Sequence, residues 1–123
     1  MIRTTFEDQT RRDLPHLADD EVHALVDIIE RLITAYEPER IYLFGSKARG
    51  DHAPDSDFDL LIVVPDGAPA ERRRSRLAYQ ALRGTGAAAD ILVWTGGRFD
   101  GRLHLVASLP ATVVREGSVG HAA

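Results

Sequence analysis

The stretch Leu43-Phe44-Gly45-Ser46-Lys47-Ala48-Arg49-Gly50, together with the loop and apolar run after it, constrains this chain most. A polar, proline-containing loop from Asp51 to Asp55 leads to Ser56-Asp57-Phe58-Asp59-Leu60-Leu61-Ile62-Val63-Val64. An apolar run enters a Gly-Ser turn, the turn opens into a basic segment, and a strand then begins with two carboxylates. Successive side chains of a strand face opposite sides, so Asp57 and Asp59 share one face and Phe58 and Leu60 the other. Adjacent carboxylates repel unless a cation lies between them. Hard cations such as Mg²⁺ take oxygen ligands, commonly one or two carboxylates plus phosphates of a substrate. Gly45 lets the backbone approach a ligand closely. A helix begun at Ser46 and running through Lys47, Ala48 and Arg49 presents its free N–H groups to an anion. The stretch therefore combines phosphate donors with metal-binding carboxylates. The bland alternative for the paired aspartates is a charged strand edge that discourages aggregation.

Gly45-Ser46, ten residues, then Asp57-x-Asp59 resembles the signature of the DNA polymerase β-type nucleotidyltransferase superfamily. The fuller pattern Gly-Ser-x-Ala-Arg-Gly with Ser-Asp-x-Asp-Leu is similar to the minimal nucleotidyltransferases of prokaryotes. The resemblance runs from the first strand to about Glu116, with one helix in front. It implies an α/β (α+β) fold of the palm-like nucleotidyltransferase kind, with a small mixed sheet and helices packed mainly on one side. It also implies ATP or another nucleoside triphosphate as donor. Asp57, Asp59 and a third carboxylate on the next strand would be catalytic and hold two Mg²⁺ ions. Asp90 is the matching third position, and it could serve as base as well. Gly45, Ser46 and Arg49 would bind nucleotide, although Arg49 can equally pair with Asp51 or Asp55. An oxygen-only site suits Mn²⁺ too.

Relatives of this kind are commonly antitoxins that transfer AMP to a tyrosine of a HEPN ribonuclease. The resemblance therefore implies a HEPN-family partner and a homo- or hetero-oligomer. The alternatives are a transferase with a small-molecule acceptor, of the aminoglycoside type, and an inert module that binds nucleotide or neutralises a partner by contact.

Composition bounds the rest. A chain of 123 residues suits one domain. A net charge of −4 argues against direct nucleic-acid binding. With no cysteine there is no disulfide, thiol nucleophile or Cys-based zinc site, which fits a cytoplasmic setting. No apolar stretch approaches the ~20 residues of a membrane span, and the N-terminus has no apolar signal core.

In chain order, residues 1–15 read as an arm or loop. Val22, Leu25, Val26, Ile29, Leu32, Ile33 and Tyr36 predict a helix over Asp20 to Tyr36, with Asp19 as N-cap and His23 on its polar side. Strands are expected at 41–44, 57–64 and 89–94, the first short and covered on both faces. A basic helix is expected over 69–82. Its cluster Arg72, Arg73, Arg74 and Arg76 is either a solvated face or a partner surface. Asp90 interrupts an apolar run, which is costly in a core unless the carboxylate is paired or metal-bound. Otherwise it marks a solvent-exposed strand entrance. Residues 95–98 read as a turn, 99–108 as a short helix with Leu103, Val106 and Ala107 inward, and Pro110 as the start of another helix ending near Gly117. The weakly apolar tail 118–123 leaves a final edge strand in doubt. No histidine has metal-ligand spacing, though His52 lies in the loop of the expected site.

Overall fold

The computed structural model describes residues 2–53 and 55–122. Pro54 of the site loop, Met1 of the arm and Ala123 of the tail lie outside the described residues, as do the side chains of residues 2–4. The elements are α1 (Ile2–Asp13), α2 (Asp19–Tyr36), β1 (Arg40–Phe44), α3 (Ser46–Arg49), β2 (Phe58–Val64), a 3-10 turn (Ala70–Arg73), α4 (Arg76–Ala81), β3 (Ala89–Thr95), α5 (Gly96–Asp100), α6 (Leu109–Glu116) and β4 (Ser118–Ala122).

The strands form one mixed sheet in the order β3-β2-β1-β4. β1 runs antiparallel to both β2 and β4, and β2 runs parallel to β3. The two inner strands are the most apolar, as inner strands must be when both faces are covered. Ile41, Leu43, Phe58, Leu60, Ile62, Val64 and Ile91 face α2 and its neighbours, and Val22, Leu25, Val26, Ile29 and Leu32 of α2 complete the main core. On the opposite face Tyr42, Leu61 and Val63 pack with Phe99 of α5 and Val113 of α6 in a smaller cluster. Tyr42 and Phe99 stack with ring centroids 5.3 Å apart. The larger helices thus occupy one side, and two short helices cover only part of the other.

Several local expectations are revised. Residues 2–13 form a helix, not an arm. Its apolar stripe is thin: Phe6 packs against the main core, and Leu14, just past the helix, is buried there. Thr10, between them, is buried with its hydroxyl donating to the Phe6 carbonyl (2.9 Å). The N-cap of α2 is Ala18, one residue earlier than Asp19. Ala18 has no capping side chain, and the Glu21 carboxylate accepts its backbone N–H instead (2.9 Å). The helix expected over 69–82 is broken at Arg74 and Ser75. There the buried Tyr36 hydroxyl donates to the Arg74 carbonyl (2.5 Å) and accepts the Ala78 N–H (2.8 Å). A buried phenol needs partners, and these backbone groups supply them.

Residues 95–98 are not a simple turn, because α5 starts at Gly96 with the Gly97 N–H donating to Asp66 (2.8 Å). The expected 99–108 helix ends early. Leu103 does pack inward, but Val106 and Ala107 are exposed. Pro110 lies in the first turn of α6, where Ser108 Oγ caps the Ala111 N–H. The tail forms β4, which pairs with β1 through a bulge between Ile41 and Tyr42.

Candidate active site

The site forms where β1 ends and β2 begins. Register places Phe44 opposite Asp59 and sets Asp59 beside Asp90 in the parallel pair. Asp59 and Asp90 therefore point from the same face, the one only partly covered by α5 and α6. Asp57 lies one residue ahead of β2. Asp57 and Asp90 are exposed and Asp59 is half-buried, so the carboxylates line an open mouth. The exposure of Asp90 also explains how an acid is tolerated within an apolar strand.

Their charges are coupled. Burial raises the Asp59 carboxyl above its ordinary value, the negative charges of Asp90 and Asp57 raise it further, and Arg49 opposes them. Uncompensated repulsion of this kind is what a bound cation relieves. Among the described residues, no group of three His, Cys, Asp or Glu side chains is close enough to hold a metal ion. The donor set nevertheless suits a hard cation that completes its shell with phosphate oxygens.

Gly45 fits this geometry for a steric reason. Its φ is +75° and its ψ −160°, a combination accessible essentially to glycine alone. A Cβ at this position would lie 2.2 Å from Asp59 Oδ2. The turn thus folds directly over the half-buried carboxylate. Ser46 opens α3, which closes at Gly50 (φ +89°) with the Gly50 N–H donating to the Ser46 carbonyl (2.8 Å). Arg49 lies on α3 within pairing distance of Asp51 (3.2 Å) and Glu116 (3.8 Å). The pairing with Asp51 matches one expected alternative, and Glu116 takes the place of Asp55.

Behind the turn lies a polar network that the sequence did not announce. Lys47 is only 5% exposed. Its Nζ lies 2.9 Å from Glu21 Oε2 and 4.2 Å from the centroid of the Phe58 ring, which sits between Asp57 and Asp59 in sequence. His52 Nε2 lies 2.9 Å from the same Glu21 oxygen. His16 Nε2 donates to the Lys47 carbonyl (2.6 Å), and the His16 ring lies under Gly50. Burial opposes ionisation of Glu21, but the Ala18 N–H, Lys47 and His52 outweigh it and hold the carboxyl below its usual range. Lys47 thus anchors the turn to α2 and to the start of β2. Nothing in the local sequence around Lys47 distinguishes a buried cation from an exposed one. Only the partner on α2, 26 residues earlier, identifies it as buried.

A cavity of about 500 Å³ lies elsewhere. It is a mainly apolar trough whose walls include Phe6 of α1, Leu25 and Ile29 of α2 and Val119 of β4, and none of the expected site residues lines it. Its lining suits hydrocarbon, so the carboxylate mouth remains the candidate for phosphate chemistry. Among the described residues, no helix is long and apolar enough to cross a membrane.

Comparison with known proteins bears on the family and the fold. The family model for the nucleotidyltransferase domain matches residues 25–114. A solved structure from Sulfolobus solfataricus, described as an inferred nucleotidyltransferase, superposes with a TM-score of 0.51 at 22% identity, covering 95% of this chain and 84% of that one. A toxin–antitoxin structure with AMP-PNP superposes with a TM-score of 0.52 at 23% identity, covering 79% and 73% of the two chains. At these identities the two structures speak for the fold. No curated protein matches the chain in sequence.

Proposed function

This chain belongs to the nucleotidyltransferase domain family, and from that premise we propose that it transfers a nucleoside monophosphate, AMP from ATP, to a hydroxyl on a partner protein. The observation that carries the reading is Asp59. It is a half-buried carboxylate with its charge opposed by Asp90 and Asp57, lying directly beneath the glycine of a Gly-Ser turn. Such a site favours a ligand that brings a cation and phosphates together.

Asp57, Asp59 and Asp90 would hold Mg²⁺ or Mn²⁺, which supplies Lewis-acid polarisation of phosphate and hydroxyl oxygens when bound. Ser46 and the amides that open α3 donate to the terminal phosphates. Arg49, released from Asp51 or Glu116, is long enough to neutralise charge on the same group. The acceptor hydroxyl attacks the α-phosphorus, the bond from the α-phosphorus to the bridging oxygen breaks, and pyrophosphate leaves. The hydroxyl proton passes to Asp90, an exposed carboxylate on the edge strand β3. Lys47 and Glu21 keep the turn and the carboxylates in fixed relation. Positioning and charge neutralisation supply most of the acceleration in such a site.

ATP is favoured as donor because one structural neighbour carries AMP-PNP, and a protein acceptor is favoured because that neighbour is a toxin–antitoxin. On this reading the chain is the antitoxin partner of a HEPN-type toxin. The test is incubation with ATP radiolabelled at the α-phosphate and Mg²⁺, with and without the protein encoded by the adjacent gene. Label on the neighbour, absent with Asp57→Asn/Asp59→Asn, is the expected result. Metal-dependent ATP binding without label on that protein would move the acceptor to a small molecule or leave a non-catalytic binding module.

A further inference from the structure

Among the described residues β3 is an edge of the sheet, with β2 on one side and no strand on the other. The Ile91 N–H points away from β2 and donates to the Tyr79 hydroxyl (3.2 Å). By strand periodicity the Val93 N–H points the same way. Along this edge runs a groove of about 330 Å³ walled by Arg73, Arg74 and Ser75 on one side and Ile91 to Trp94 on the other. Leu92 is 40% exposed within it. Arg98 adds a guanidinium 4.1 Å from the Trp94 ring centroid. No carboxylate is among the groove-lining residues. Arg72 is engaged by Glu37 (2.6 Å), but among the described residues Arg73, Arg74 and Arg76 make no ion pair. A chain of net charge −4 thus sets Arg73 and Arg74 along one sheet edge, while Glu71 shares a separate hollow with Arg74 and Arg76.

The same strand contains Asp90, immediately before Ile91. Leu92 and Trp94 share the face of Asp90, so a segment laid along this edge ends beside the carboxylate mouth. We propose that the β3 edge docks an extended, acidic segment of the acceptor protein. Its backbone pairs with β3, its acidic side chains meet Arg73 and Arg74, and its hydroxyl-bearing residue is delivered to Asp90. This is strand addition, in which main-chain hydrogen bonds supply affinity and flanking side chains supply selectivity. A second copy of this chain is a poor occupant. Two-fold pairing of β3 with itself would bring Arg73 and Arg74 against their own copies, and like-charge juxtaposition disfavours an interface.

The acceptor role rests on the transferase reading, whereas the docking does not, so the experiment uses no nucleotide. The probe is a short synthetic peptide of alternating Glu and Val with one Tyr, compared with the same peptide carrying Lys in place of Glu. Trp94 is the only tryptophan, so its emission reports on the groove directly. The amide shifts of Ile91 to Thr95 report strand pairing. The expected result is saturable binding of the acidic peptide, salt-sensitive and centred on the Val93 amide. Arg73→Glu/Arg74→Glu should weaken it by about tenfold or more.

Val93→Pro removes the outward N–H, a change edge strands tolerate, and should abolish pairing. If that variant misfolds, N-methylation of alternate peptide amides removes the peptide N–H groups that would donate to β3 carbonyls and tests the same strand pairing with the protein untouched. Equal binding of the lysine peptide, amide shifts confined to other elements, indifference to both charge reversal and N-methylation, or a homodimer formed through β3 would each overturn the proposal. Loss of peptide docking would leave nucleotidyl transfer standing, and failed transfer would leave the docking result intact.

Discussion

Gly45→Ala tests the geometry of the site most directly. Two separate costs meet at this residue. Its backbone lies in a region open essentially to glycine, and holding another residue there costs about 1–3 kcal/mol. In addition, the new Cβ would sit 2.2 Å from Asp59 Oδ2 and 3.0 Å from its Cγ, so the carboxylate must swing away. Together these should destabilise the chain by about 3 kcal/mol, which for a domain of this size lowers Tm by roughly 12 °C. Gly84→Ala provides the control, because Gly84 has φ +81° and nothing within 4 Å of its added Cβ. It should cost only the backbone share, about 1–2 kcal/mol.

The steric part of the difference between these variants belongs to Asp59. Asp59→Ala removes the clash with Oδ2 and Cγ and leaves the backbone cost and a Cβ 3.3 Å away, so the double-mutant coupling should be about 1–2 kcal/mol. Urea denaturation of the four proteins measures the cycle. Equal costs for Gly45→Ala and Gly84→Ala, with no coupling to Asp59, would refute the claim that the turn folds onto that carboxylate.

Three further outcomes are expected at the same site. Burial, Asp90 and Asp57 raise the Asp59 carboxyl, so its ionisation costs the fold stability above the ordinary carboxylate range. Asp59→Asn should therefore stabilise the chain at neutral pH while abolishing transfer, and the gain should shrink as pH falls and both states protonate. Urea midpoints at pH 7 and pH 3 would show it, and a loss of stability at pH 7 would contradict it. Lys47→Met should cost about 3 kcal/mol, since it strands a mostly buried carboxylate that keeps only His52 and the Ala18 N–H. Because Glu21 is held below its usual value, its contribution is present at neutral pH and is lost as pH falls through the folded value, so Lys47→Met should also blunt acid sensitivity. Finally, Mg²⁺ or Mn²⁺ at about a hundred times its Kd should stabilise the wild-type chain by about 2.7 kcal/mol. The same addition should leave Asp57→Asn/Asp59→Asn unmoved in a thermal melt.

The sequence revealed those parts of the molecule whose cause is local. α2 carries seven apolar residues at helical spacing, and β1 and β2 are continuous apolar runs next to recognisable turns, so their positions were readable within a residue or so. The order of Gly45, Ser46, Asp57 and Asp59 also forces proximity, because β1 and β2 are antiparallel neighbours joined by one short connection. Asp90 was placed by resemblance, and the parallel register sets it beside Asp59. Elements that depend on distant partners were not readable. The break at Arg74 exists because the Tyr36 hydroxyl, 38 residues earlier, takes the Arg74 carbonyl. α5 can start on two glycines because Asp66 accepts the Gly97 N–H across the sheet's end. β4 pairs despite Gly120 because that glycine sits where a side chain would meet Ile29 Cδ1 at 2.7 Å.

The same distinction governs the site itself. Residues that touch a ligand must expose donors or charge, and their types and spacing carry a local signature. Residues that position them need only reach their target through the fold. Lys47 illustrates the second kind: Arg49 on the same short helix is exposed, whereas the Lys47 ammonium turns back to Glu21 on α2 and lies against Phe58 at the start of β2. One buried cation thereby ties together the Gly-Ser turn, the carboxylate strand and the helix that supports both. Removing it should loosen the relation between Gly45 and Asp59 without altering any expected ligand-contacting residue. Nucleotide affinity and transfer should then decline together in Lys47→Met, whereas Arg49→Lys should change affinity at intact stability.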